Sequence, residues 1–243
     1  MRIHVLMQQK GGVGKSFVSV MFNQYLQSMG KKVLGIDTDP LNDTFHQFQS
    51  LNVKLIKICN NNGEIESENF DQIIDLIMNN DDATDVIIDN GSSDFIPLIN
   101  YIKTTQIFEM LKDMGHEIIV HSIIAGGQAL SETMLGLVAL LQQFDNPDLY
   151  SVVVWLNPFN GYIDMEGFTG GSAYQMYKDS IKGIVLLPTF SDMFNRDITE
   201  CMSARTLFDE YINNKEKHIM KRQRITIAKR KFFEAISSGI GEF

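Results

Sequence analysis

Lys10-Gly11-Gly12-Val13-Gly14-Lys15-Ser16 puts two lysines, three glycines and a hydroxyl into seven residues. That set can hold a polyphosphate. Glycines let successive backbone N–H groups turn inward around an anion without Cβ clashes, and a helix starting there adds its positive end. Lys15 would reach the β- and γ-phosphates of a triphosphate, and the Ser16 hydroxyl would ligate the Mg²⁺ that bridges them. The ordinary phosphate-loop pattern starts with glycine where this chain has Gln9, and Lys10 is an added cation.

Three acids complete the chemistry. Asp37 and Asp39 follow the apolar run Val33-Leu34-Gly35-Ile36, and Asp89 ends Val86-Ile87-Ile88. An apolar run closed by an acid is the Walker B pattern, in which Asp89 would hold Mg²⁺ through a water. Asp39 precedes Pro40, so it is biased to extended backbone and projects from a loop. The functional reading makes Asp37 an outer partner of Mg²⁺ and Asp39 the group that orients an attacking water. The bland alternative is a turn carrying solvated acids.

Short runs dense in Ile, Val and Leu alternate with helical periodicity along the chain. They predict an α/β fold: a doubly wound, mostly parallel sheet in a three-layer α/β/α arrangement. Right-handed crossovers then bring the motifs to one sheet edge. Strands are expected near residues 3–7, 33–36, 53–58, 85–89, 117–124, 152–156 and 181–187, and helices over 17–29, 70–77, 95–114, 130–144, 194–211 and 215 to the end. A turn is expected at Asn60-Asn61-Asn62-Gly63. Residues 161–171 are polar and glycine-rich, which predicts a mobile or partner-binding loop. Gly126-Gly127 reads as tight helix packing, with a second phosphate site as the alternative. Pro188, after the last strand, would flank a nucleotide base.

With 243 residues, 44% of them hydrophobic, one domain over 1–243 can bury a full core. No basic-then-apolar leader and no run of about 18 apolar residues appears, so a cytoplasmic protein is expected. Cys59 and Cys201 fit no redox or metal spacing, and His116 and His121 gather no further ligands, so neither a disulfide nor a zinc site is expected. The net charge of −9 hides an asymmetry: over residues 215–231 eight basic residues oppose only Glu216. Ile225, Ala228, Phe232, Ala235 and Ile236 recur at helical spacing there, so 212–243 reads as a basic amphipathic helix. Its outward face would bind DNA weakly and without sequence preference. An anionic membrane is the lesser option, and mere solvation the bland one.

Lys-Gly-Gly-x-Gly-Lys-Ser resembles the deviant Walker A motif of the ParA/MinD group of P-loop ATPases. Residues 9–16, Ile36-Asp37-Thr38-Asp39-Pro40, 86–91, 126–130 and Trp155-Leu156-Asn157-Pro158 resemble TraL-type proteins of plasmid conjugative transfer, and the likeness covers nearly the whole chain. The resemblance implies ATP and Mg²⁺ as cofactors, held by Gly11, Gly12, Val13, Gly14, Lys15, Ser16 and Phe17, with Asn157 recognising adenine and Pro188 beside it. Asn157-Pro158 reads nearly as well as a plain turn. It implies that Lys10 crosses an ATP-bound homodimer to the partner's nucleotide, making Lys10, Lys15 and Asp39 the catalytic set, with Ser16, Asp37 and Asp89 around the metal. Asn90-Gly91-Ser92-Ser93 departs from the proline-containing stretch of many ParA relatives, although the Gly91 N–H remains available to the γ-phosphate.

The function expected is an ATP-dependent dimerising switch ATPase, slow without a partner, engaging a protein of a transfer or DNA-partition apparatus. Two rivals share the loop. One is an ATP-dependent carboxylase or amide synthase, which needs an acid-binding pocket beside the γ-phosphate. The other is a nucleotide-holding module that never turns over, against which Lys10, Lys15, Asp39 and Asp89 all argue.

Overall fold

The computed structural model describes residues 1–39, 42–58, 66–80, 82–144, 146 and 148–241, with the backbone alone at 67 and 68. Pro40, Cys59, Asp81 and the expected turn at 60–63 lie outside the described residues. Among the described residues seven strands form one sheet: β1 (Arg2–Leu6), β2 (Val33–Asp37), β3 (Val53–Leu55), β4 (Asp85–Asp89), β5 (Glu117–Ala125), β6 (Ser151–Asn157) and β7 (Ile181–Leu186). Their spatial order is β3-β2-β4-β1-β5-β6-β7, and every pairing is parallel.

Helices cover both faces, which is why the central strands are apolar on both sides. One layer packs α2 (Ser67–Met78), α3 (Phe95–Thr105), α4 (Ile107–Asp113) and α5 (Leu130–Gln143) on the sheet. The other packs α1 (Lys15–Ser28), α8 (Asp192–Ser203), α9 (Phe208–Asn213) and α10 (Ile219–Ile240). The chain runs from β1 outward to β2 and later from β4 back past β1 to β5. Strand order reverses there, so the carboxyl ends of β1, β2 and β4 open onto a crevice.

Several boundaries differ from the sequence expectation, each for a local reason. The expected helix over 95–114 breaks at Gln106 (φ 54°), and that over 194–211 breaks at Arg205 (φ 52°). Both are left-handed helix ends without the glycine that normally marks them. Residues 161–171 are not wholly a loop: α6 (Met165–Gly170) lies within them and α7 (Ser172–Tyr177) follows, with the Asp164 carboxylate accepting from Glu166 N at 3.2 Å as an N-cap of α6. Gly126-Gly127 serves packing, since a Cβ on Gly126 would sit 1.8 Å from the Gly161 carbonyl oxygen.

The segment from Lys215 enters helix only at Ile219, and much of its charge is spent within the chain. Lys217 and Lys221 pair with Glu200, Arg224 with Asp197, Lys229 with Asp209 and Arg230 with Glu234. Lys221 and Arg224 fasten α10 to α8 and Lys229 fastens it to α9, whereas Lys217 precedes the helix and Arg230 pairs one turn along it. No helix among the described residues is long and apolar enough to cross a membrane.

A buried polar chain crosses four strands beneath α1. Trp155 Nε1 donates to His121 Nδ1 at 2.8 Å, His121 Nε2 meets His4 Nδ1 at 2.9 Å, and His4 Nε2 meets Asp85 Oδ1 at 3.2 Å. An indole N–H can only donate, so each later group must accept from one side and donate to the other. Both imidazoles are therefore neutral, and burial holds both below the usual histidine pKa. Arg2 closes the series with an ion pair to Asp85 at 2.7 Å. Trp155→Phe removes the first donor and strands a fully buried His121 nitrogen, so urea unfolding at pH 7.5 should show a loss of about 1–3 kcal/mol. An unchanged midpoint would show the chain to be energetically idle.

Candidate functional site

The phosphate loop connects β1 to α1 and owes its shape to two glycines with positive φ, Gly12 at 72° and Gly14 at 101°. Gln8 fixes its entry: the buried amide donates to Ile123 O at 2.8 Å and Thr133 O at 3.2 Å, tying the loop to β5 and α5. Asn157 fixes its far side, donating from Nδ2 to Val13 O at 2.9 Å while its Oδ1 accepts from Phe159 N. A Cβ on Gly14 would lie 2.9 Å from that amide nitrogen.

Lys15 is buried, and its ammonium donates to Gln8 O at 3.3 Å. Burial lowers its pKa, while the carboxylates of Asp89, Asp39 and Asp94 pull it back. Asp89 is 1% exposed, and neither carboxylate oxygen has a hydrogen-bond partner among the described residues. Burial pushes its pKa up to about 7, drawn back in part by Ser16 and raised again by Asp37. Asp37 is fully buried. Its burial raises the pKa to about 6, against backbone N–H groups of His46 and Asp39 that favour the anion.

Thr38 and Asn90 clamp the strand ends. The Thr38 hydroxyl donates to Asn90 Oδ1 at 2.9 Å, and Asn90 Nδ2 donates to Leu6 O at 3.1 Å, so β2, β4 and β1 end in one fixed relation. Half-buried Asp39 stands beside Gly91, whose would-be Cβ lies 3.3 Å from Asp39 Cγ and 3.1 Å from Asp94 Oδ2. Ser92 approaches Gly11 in the same way, at 3.3 Å. Asp94 was not singled out by sequence, since an acid before a helix reads as an ordinary cap. Lys10 stands on the rim and pairs with Glu132 of α5 at 2.7 Å, with both side chains about half exposed. Glu132 likewise carried no sequence signal.

A cavity of about 560 Å³ opens beside the loop. It brings together Gly12, Val13, Gly14, Phe17, Asn157 and Pro188 from the sequence reading, and adds Phe190, Asn195 and Arg205. Lys15, Ser16, Asp37, Asp39 and Asp89 lie outside its lining, on the acidic side of the loop. Among the described residues no three His, Cys, Asp or Glu side chains form a metal cage.

Fold and loop together define a ParA/MinD-like P-loop protein. Residues 1–126 match the AAA domain family. Two Escherichia coli proteins named TraL are 39% and 40% identical to the chain over 240 residues, covering 98% of each partner. Among solved structures, FtsY from Mycoplasma mycoides aligns at 16% identity over 76% of this chain and 60% of its own, with a TM-score of 0.50, a likeness of fold. The MinD cell division protein of Aquifex aeolicus aligns at 17% identity over 96% and 97%, with a TM-score of 0.46. The chain belongs to the TraL family.

The two positive-φ glycines separate backbone strain from steric strain. Gly12→Ala meets no atom within 4 Å and incurs only the left-handed penalty of about 1–2 kcal/mol. Gly14→Ala incurs the same penalty and also displaces the Asn157 amide. Gly14→Ala should therefore lower the denaturation midpoint further, and equal losses would argue against the Asn157 clamp.

Proposed function

We propose that this protein is an ATP-binding, Mg²⁺-dependent switch that dimerises on ATP and hydrolyses it slowly. The observation that carries the reading is Asp89: a buried carboxylate with no hydrogen-bond partner among the described residues, beside Ser16 and Lys15 at a phosphate loop. A fold keeps such a group only where a cation or a proton completes it. The donor set fits Mg²⁺, which takes one or two carboxylates and a hydroxyl and keeps several waters.

Gly11, Gly12, Val13 and Gly14 would hold the phosphates by backbone N–H groups, with Lys15 as counter-charge. Ser16 would ligate Mg²⁺, and Asp89 and Asp37 would hold its waters. When bound, the ion neutralises charge on the transferring phosphate. Asp39, half-buried beside Gly91, is the group placed to orient the attacking water. The acids around Ser92 and Gly91 disfavour a second, anionic substrate there, which speaks against the synthase rival.

Lys10 supports the dimer. It is on the rim, and among the described residues an exposed ion pair is all that fastens its ammonium, a contact worth well under about 1 kcal/mol that can be exchanged for a partner's phosphates. Service in conjugative transfer rests on the family resemblance, and the engaged protein belongs to that apparatus. DNA binding through Lys215 to Lys231 draws little support, because five of those side chains already hold carboxylates.

Lys15→Ala should weaken Mg²⁺·ATP binding at least tenfold by calorimetry, from loss of a charge-assisted contact worth about 1.5–3 kcal/mol. Lys10→Ala should bind ATP yet stay monomeric in light scattering. Asp39→Ala should dimerise with ATP but release phosphate at least tenfold more slowly. A nucleotide-independent oligomer unaffected by Lys10→Ala would count against the switch.

A further inference from the structure

Asp94 stands at the N-cap position of α3, yet its side chain makes no capping hydrogen bond. Part of the reason is local. An N-cap acid accepts from the second or third helical N–H, and the third residue of α3 is Pro97, which has none. The carboxylate turns inward instead and is 1% exposed, with Ser93 Oγ donating to Oδ1 at 2.9 Å. Burying an acid costs it hydration that a surface cap would have kept.

It turns toward the phosphate side of the loop. A Cβ on Gly91 would lie 3.1 Å from Asp94 Oδ2 and 3.3 Å from Asp39 Cγ, so the two carboxyl groups flank the glycine whose N–H is expected at a γ-phosphate. Ser92, next in the same turn, has its Oγ 3.3 Å from the Cβ that Gly11 lacks, which sets the turn against the loop. Lys15, assigned to the β- and γ-phosphates, is drawn by Asp89, Asp39 and Asp94 in falling order. The metal proposed at Ser16 would offset Asp89 and Asp37. That leaves the charge of Asp39 and Asp94 at the far end of the phosphate chain, while Lys10 of the same chain is paired with Glu132.

We propose that Asp94 is a specificity-determining residue of the nucleotide site: with Asp39 it sets negative charge beside the third phosphate, so a single chain holds a nucleoside triphosphate less tightly than the loop alone would. A diphosphate ends one phosphate earlier and escapes most of that charge. The inference rests on the phosphate-loop reading above and adds what discriminates between the two nucleotides. Repulsion between like charges falls with distance and grows as water is excluded, so a buried acid at Gly91 acts on the nearest phosphate and little on the others. In the proposed dimer the partner's Lys10 would supply the offsetting cation, which ties triphosphate binding to pairing.

Calorimetry with Mg²⁺ on the full chain carrying Lys10→Ala, the variant expected to stay monomeric, compares ATP with ADP before and after Asp94→Asn. The amide keeps the shape and drops the charge. ATP binding should tighten roughly tenfold, the order expected when one like charge leaves a partly screened site, and ADP binding should stay within about twofold. Asp94→Ser decides the matter if melting curves show Asp94→Asn to be unfolded. Unchanged or weaker ATP binding, or equal shifts for both nucleotides, would overturn the proposal, because a residue that only shapes the turn cannot tell one nucleotide from the other. Lys15→Ala keeps the two readings apart, since it should weaken both nucleotides whatever Asp94 does. If it weakens neither, the phosphate-loop reading falls instead.

Discussion

A buried carboxylate with no hydrogen-bond partner among the described residues governs this structure. Asp89 is buried at the carboxyl end of β4, and among the described residues the backbone gives it no hydrogen bond. Removing an ion from water costs several kcal/mol when nothing compensates. The features nearby can be read as responses to that cost. Lys15 is held under the loop, where its charge and that of Asp89 attract one another, while buried Asp37 adds to the cost of an Asp89 anion. On the proposed reading, such a site is balanced when a cation enters. That requirement converts a loop shape into a reason for binding a charged ligand.

The rest of the fold keeps this arrangement from relaxing. Thr38 and Asn90 lock three strand ends together, Gln8 and Asn157 hold the two sides of the loop, and the Asp85-His4-His121-Trp155 chain staples four strands below α1. Satisfied buried networks of this kind specify one register, because a strand slipped by one residue would strand every member. Outside this frame the holding contacts weaken. Lys10 and Glu132 meet on the exposed rim, where a modest free energy suffices to exchange partners.

Much of this was legible in the sequence because it is local. The loop, both acid-terminated strands and the alternation of strand and helix each occupy a short window with a defined period or spacing. What escaped was long-range or chemically unmarked. Gln106 and Arg205 end helices in a left-handed conformation that glycine would have announced. Residues 165–170 and 172–177 form two six-residue helices too short to show a period. Phe232 looked like one more member of an apolar stripe, and only tertiary packing brings it against Phe17 at the loop. The basic run near the end was visible as composition, but its carboxylate partners lie on α8 and α9 or one turn along.

The central proposal is that a cation completes Asp89, and the direct measurement is its own titration. Carbon-13 NMR of aspartate-labelled protein, with Asp89→Asn used for assignment, follows that carboxyl with and without Mg²⁺ and ATP. The account predicts a midpoint near 7 in the protein alone, where burial disfavours the anion. It also predicts a fall to below about 4 when Mg²⁺ and ATP are added, because a bound cation favours the charged form. An ordinary carboxyl midpoint of about 3.9 in both conditions would contradict it, since Asp89 would then be neither strained by burial nor sensitive to the metal.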